Sequence, residues 1–168
     1  NISSFDTGNV TNMVQMFSSL RKIVSLDLSH FNTKKVTNMA AMFDTMYELK
    51  NLNISSFNTS NVIYMGSMFR GTYNLTELDL SSFDTSNVKT VDSMFYINSS
   101  DIGKDKLEKI YVSNDFNTAK ITSYGNVFGN RKKLRGGNGS FLVDPSTADL
   151  SWLRVDRPGV QGYFTRKP

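Results

Sequence analysis

The amino-acid sequence predicts an α/β repeat fold, with short parallel strands on one face and short helical or 3-10 turns on the other. Two observations carry that expectation. The phrase FDTGNVTNMVQMF at Phe5 returns as FNTKKVTNMAAMF at Phe31, FNTSNVIYMGSMF at Phe57 and FDTSNVKTVDSMF at Phe83, each 26 residues after the last. Between the copies stands a second phrase, read in IVSLDLSHF, LKNLNISSF, LTELDLSSF and LEKIYVSNDF, which ends at Phe31, Phe57, Phe83 and Phe116. A fixed period of this length stacks like units and does not gather them around one centre.

The second phrase reads L-x-x-L-x-L-x-x-F, and its last inward positions alternate with polar ones, the period of a half-buried strand. Leu26, Leu52, Leu78 and Ile110 form one inward column, and Leu28, Ile54, Leu80 and Val112 the next. Strand parity turns three ladders outward: Asn1, Asp27, Asn53, Asp79, Tyr111; Ser3, Ser29, Ser55, Ser81, Ser113; and Ser25, Asn51, Glu77, Lys109. Neighbouring strands are expected at about 4.8 Å in one parallel sheet.

The first phrase has another rhythm. After Thr85, Ser86 and Asn87 come Val88, Val91, Met94 and Phe95, offsets that suit a short helix or 3-10 turns capped by the polar residues ahead of them. The face recurs as Val10/Met13/Met16/Phe17, Val36/Met39/Met42/Phe43 and Val62/Met65/Met68/Phe69, and more loosely as Ile121/Tyr124/Val127/Phe128. One strand and one helical turn per 26 residues match the leucine-rich-repeat plan, so the expected architecture is a short right-handed solenoid of that kind. The Phe column and the column Thr7, Thr33, Thr59, Thr85, Thr118 read as structural, the Thr hydroxyls satisfying backbone groups. The methionine pairs read as core packing, not soft-metal ligands.

Two regions depart from the period. Phe95 and Leu107 lie twelve residues apart where earlier copies have six, which predicts a surface loop within residues 96–106. Beyond Leu134 the repeat gives way to RGGNGSFLVDPSTADL, a loop, and then to SWLRV and GYFTRK around DRPGVQ, read as two short strands about a turn. Trp152, Tyr163 and Phe164 are expected to cover the end of the last repeat, because an open end is apolar and edge-bearing. The expected division is therefore a repeat array over residues 1–135, beginning in mid-repeat as a fragment of something longer, and a C-terminal loop and β cap over residues 136–168.

Composition narrows the function. Without cysteine there is no disulfide, thiolate metal site or Cys nucleophile, and the single histidine, His30, rules out a His-based triad or a multi-His metal site within the chain. No run of 18 apolar residues is present, so direct membrane insertion by a helix is not expected. Asp27 and Asp79 would lie about 10 Å apart on an open sheet, Asp84 and Asp92 lack calcium-loop spacing, and GGNG does not lead a strand into a helix. The expectation is a non-enzymatic protein with no cofactor, metal or nucleic-acid partner.

Two groups of residues are candidates for binding. On the sheet face these are Asp27, Asn53, Glu77, Asp79, Lys109 and Tyr111, where ladder hydrogen bonding and a shallow ligand face are both open readings. The second group is RKKLR, with Arg131, Lys132, Lys133 and Arg135, read either as a solvated edge or as a contact for a polyanion such as sulfated glycan or teichoic acid. The net charge of +4 is concentrated beyond residue 100, where twelve basic side chains face seven acidic ones.

The stretch LTELDLSSFDTSNVKTVDSMF resembles the repeat of BspA-like leucine-rich-repeat surface proteins of Gram-positive and mycoplasmal cells, from Asn1 to about Leu134. The tail GGNGS with LRVDRPGVQGYFT is similar to the ending of such arrays. Where family members often carry Cys, this chain has Leu20, Met46, Thr72 and Asn98. The resemblance implies a secreted protein at the bacterial cell surface, an adhesin whose partner is a host extracellular-matrix or cell-surface protein or glycan. A structural spacer, or a targeting module of a larger surface or secreted protein, is the alternative. Nothing in the sequence sets the oligomeric state.

Overall fold

Alternation of polar and apolar residues makes the strands, and the repeat period sets their register. The structure, a computed structural model, describes residues 2–168, so Asn1 of the first outward ladder lies outside the described residues. Strand β1 (Ser25–Asp27) pairs in parallel with β2 (Asn51–Asn53), placing Leu26 opposite Leu52. Strands β3 (Glu77–Asp79), β4 (Lys109–Val112) and β5 (Phe164–Arg166) form a second parallel sheet in that order, with Leu78 opposite Ile110 and Ile110 opposite Phe164. The chain is thus a repeat fold of small parallel sheets with few helices.

The expected single sheet is divided between β2 and β3. At the other two junctions a backbone N–H links the lead-in to the strand: Glu48 donates to the Arg21 carbonyl and Lys106 to the Tyr73 carbonyl. At the β2–β3 junction the Tyr47 carbonyl instead accepts from the Asn74 side-chain amide, at 2.8 Å. The side-chain bond stands in place of a backbone one there, and β2 and β3 are not joined by a strand ladder.

The opposite face corrects the sequence reading. Among the described residues the 3-10 helices are Ser99–Lys104, Pro145–Thr147 and Leu150–Trp152, and none falls in the Val/Met/Phe phrase. The N–H groups of Met13, Gln15, Phe17 and Ser19 donate to the carbonyls of Asn38, Ala40, Met42 and Asp44 in the next repeat, while those of Met16, Ser18 and Leu20 bond back three residues. Gln15, Ala41, Ser67, Ser93 and Asn126 recur at one position of the phrase with φ between 54° and 59°. A left-handed residue stops a right-handed helix from propagating. What results is a second ladder, with parallel bridges running through Asn12, Asn38, Tyr64, Thr90 and Ser123. Offsets of three and seven therefore mark a folded turn with one inward face in the middle repeats, whereas Met16 in the first copy and Tyr124 in the last are exposed.

Between the ladders the side chains form files. Phe17, Phe43, Phe69, Phe95 and Phe128 stack with ring centroids 5.2–5.9 Å apart and planes within 14° of parallel. Met39, Met65, Met42, Met68 and Met94 are fully buried beside them. Hydroxyls of the Thr column join successive repeats: Thr33 Oγ1 donates to the Asn58 carbonyl and accepts from the Asn58 N–H, Thr59 does the same with Asp84, and Thr85 donates to the Asn117 carbonyl, whereas Thr118 at the end of the column is only half-buried.

The region around the insertion is not the plain surface loop expected. The insertion carries the 3-10 helix Ser99–Lys104 and sends Asp105 inward to 1 % exposure. There it meets Arg131, which is 0 % exposed, and the reading of Arg131 as a polyanion contact is corrected. Its Nη1 lies 2.7 Å from Asp105 Oδ1, and its other donors reach the Phe95, Phe69 and Thr72 carbonyls and Thr72 Oγ1. Burial pushes the guanidinium pKa down while Asp105 opposes that. Arg131 lies three residues past Phe128, at the inward position held by Met46 and Thr72 in earlier repeats.

At the C-terminal end Phe164 packs on Phe95, Phe116 and Phe128, and Tyr163 lies between Phe128 and Trp152. SWLRV is not a strand. The Asp149 carboxylate accepts the Ser151 N–H and starts a 3-10 turn, leaving Val155 to make a single parallel bridge to Phe164. A Cβ on Gly136 would collide with the Gly162 carbonyl and Asp156, so the first glycine of GGNGS permits that close approach.

Candidate functional site

The outward positions of β1, β2 and β3 are held by local chemistry. Asp27 Oδ1 accepts the Ser29 N–H at 3.0 Å, Asn53 Oδ1 that of Ser55 at 3.2 Å, and Asp79 Oδ1 that of Ser81 at 2.9 Å. Each closes the turn out of its strand, as Asx side chains do. One carboxylate or amide oxygen is thereby committed to the fold, and the remaining polar edge of the side chain faces the groove.

Across the break between the sheets runs an open concavity of about 460 Å³, lined in part by Asp27, Asn53, Glu77, Asp79 and Tyr111. Five of the six sheet-face candidates therefore share one surface. A further lining residue, Lys167, reaches it from the segment after β5, with Nζ 2.9 Å from Asp79 Oδ2 and 5.0 Å from the centre of the Tyr111 ring. Tyr111 donates its hydroxyl hydrogen to Glu77 Oε1 at 3.2 Å. Lys167 escaped sequence reasoning because it lies in the tail, and no pattern in the tail announces that β5 extends the sheet beside β4.

Electrostatics follow from these contacts. The backbone N–H and hydroxyl of Ser29 hold the Asp27 carboxyl below its usual range. Burial pushes the Asp79 carboxyl up, yet hydrogen bonds from Lys167 and Ser81 outweigh it and leave it lowered. The hydrogen bond to Asp79 raises Lys167 correspondingly. The groove thus carries carboxylates at Asp27 and Glu77, a cation at Lys50, the paired Asp79 and Lys167 at its C-terminal end and one phenol face. Such a surface offers donors and acceptors to a polar ligand laid across several repeats.

Lys109 is separated from this group. It borders a smaller groove of about 290 Å³ with Glu108, Lys132, Lys133 and Arg135. Lys132 and Lys133 are exposed, whereas Arg135 is half-buried, with its guanidinium 4.2 Å above the Phe141 ring and donating to the Lys132 and Leu134 carbonyls. The basic run is therefore split: Arg131 faces the core, Arg135 lies along the surface, and the two lysines project. Among the described residues no group of three or more His, Cys, Asp or Glu side chains is arranged to hold a metal ion, and no helix is long and apolar enough to cross a membrane.

A family model described as Mycoplasma protein of unknown function, DUF285, matches the chain over residues 1–51 and 21–141. No curated protein and no solved structure matches it.

Proposed function

We propose, from the premise that the chain belongs to the DUF285 family, that it is the non-enzymatic binding module of a bacterial cell-surface adhesin. In this reading the repeats form a short right-handed leucine-rich-repeat solenoid of the BspA-like kind, displayed outside the cell. The module contacts a host or neighbouring-cell protein or glycan through its sheet face.

The observation that carries the reading is the shared groove: Asp27, Asn53, Glu77, Asp79 and Tyr111, drawn from four repeats, line one open surface. Repeat proteins bind on such multi-repeat surfaces because each unit contributes one contact at a fixed spacing. The test is binding of the labelled chain to host cells and to an array of matrix proteins and glycans. Saturable binding that weakens at least tenfold on combining Glu77→Lys with Tyr111→Ala supports the reading. Absence of saturable binding to any component rejects it in favour of a spacer.

A further inference from the structure

We propose a second binding site, on the side of the repeats away from the sheet groove, that takes a sulfated polysaccharide. The proposal goes beyond the sheet-face reading and does not need it. A concavity of about 680 Å³ runs across five repeats and is lined in part by Lys35, Lys89 and Lys120, with no Asp or Glu along it. None of the three lysines stands in an ion pair among the described residues.

Two of the ammonium groups are positioned without being neutralised. Lys35 Nζ donates to Asn9 Oδ1 at 2.7 Å, and Lys120 Nζ to Asn87 Oδ1 at 2.6 Å. Asn87 is itself oriented, because its Nδ2 donates to the Ser60 carbonyl at 2.8 Å and so turns its oxygen toward Lys120. An amide acceptor fixes the geometry of an ammonium group and leaves its full charge for a ligand, where a carboxylate would cancel it. Preorganised uncompensated charge is what an anion-binding groove requires.

The spacing selects the class of anion. Lys35 and Lys89 lie two repeats apart and Lys89 and Lys120 one, so at about 4.8 Å per repeat their charges are distributed over roughly 14 Å along the array. A single small anion does not span that length, while a polymer with recurring anionic groups does. Thr11 and Thr37 add hydroxyls suited to sugar hydroxyls and sulfate oxygens. Neither an aromatic nor an arginine side chain lines the groove, so it lacks the stacking platforms that hold single-stranded nucleic acid.

The experiment measures binding of heparin to the 168-residue chain by calorimetry over a salt series, against three variants. The combined Lys35→Gln, Lys89→Gln, Lys120→Gln variant is expected to bind at least tenfold more weakly, with a shallower salt dependence and an unchanged melting temperature. The combined Lys→Arg variant at the same positions retains binding, and Lys132→Gln with Lys133→Gln changes it less than threefold. Equal affinity of native and Lys→Gln chains, loss through Lys132 and Lys133 instead, or equally tight binding of oligo-dT in place of heparin would each overturn the proposal. A chain that binds host cells but not heparin leaves the adhesin reading standing and removes this one.

Discussion

Arg131 shows how one residue ties distant parts of the chain together. Its guanidinium draws on Phe69 and Thr72 in the third repeat, Phe95 in the fourth and Asp105 in the insertion. Asp105 Oδ2 lacks a partner among the described atoms, so the pair is bound on one side only. Burying an ion pair returns little net stability, but removing one member leaves an uncompensated charge in the core. Arg131→Met is therefore expected to destabilise by about 3–5 kcal/mol in urea unfolding, whereas adding Asp105→Leu should bring stability back to within about 1 kcal/mol of native. Equal loss in the single and double variants would show that the guanidinium's carbonyl contacts, not the charge pair, carry the site.

Among elements, the repeat junction is the unit that decides stability. Each junction combines a turn ladder and a stacked Phe pair with a Thr hydroxyl that donates across it and, at the first three junctions, also accepts. Thr59→Val keeps the shape of the side chain while leaving the Asp84 N–H and carbonyl without their buried partner. The expected cost is about 1–3 kcal/mol, read as a lower midpoint at unchanged m-value. A shift below about 0.3 kcal/mol would mean that water replaces the hydroxyl at the junction. The turn ladder explains why the phrase tolerates Gln15, Ala41, Ser67 and Ser93 at positive φ: four bonds to the neighbouring repeat hold each left-handed residue in place.

For the whole molecule, acid stability follows from carboxylates distributed over every region. The Arg157 guanidinium, with a backbone N–H from Val155, holds Asp115 below its ordinary 3.8, and local Ser contacts lower Asp84, Asp144 and Asp149. Groups whose folded pKa is depressed contribute stability that is present above the unfolded value and lost as pH falls through it. The melting temperature should stay level from pH 8 to about pH 5 and fall below about pH 4. Asp115→Asn should flatten part of that fall, and a melting temperature that rises on acidification would contradict the assignment. The same distribution of charge leaves the sheet groove mixed in sign and the groove lined by Lys35, Lys89 and Lys120 purely cationic.

The period, the inward columns, the strand register and the structural Thr file were legible from sequence, because a repeated unit forces like residues into like surroundings. Strand parity turned Asp27, Asn53, Glu77, Asp79 and Tyr111 outward for the same reason, and Lys109 with them, although Lys109 borders a different groove. Three features were decided only in three dimensions. Whether the apolar offsets of three and seven wind into a helix or fold into turns depended on hydrogen bonds to the next repeat, which local spacing does not encode. Arg131 faced inward because the insertion delivered Asp105 to it, a pairing across 26 residues that a charge run conceals. Lys167 joined the groove because β5 lies beside β4, and that adjacency comes from the cap's packing on Phe95, Phe116 and Phe128. Periodic chains specify what repeats; what occurs once is set by which surfaces meet when the chain folds.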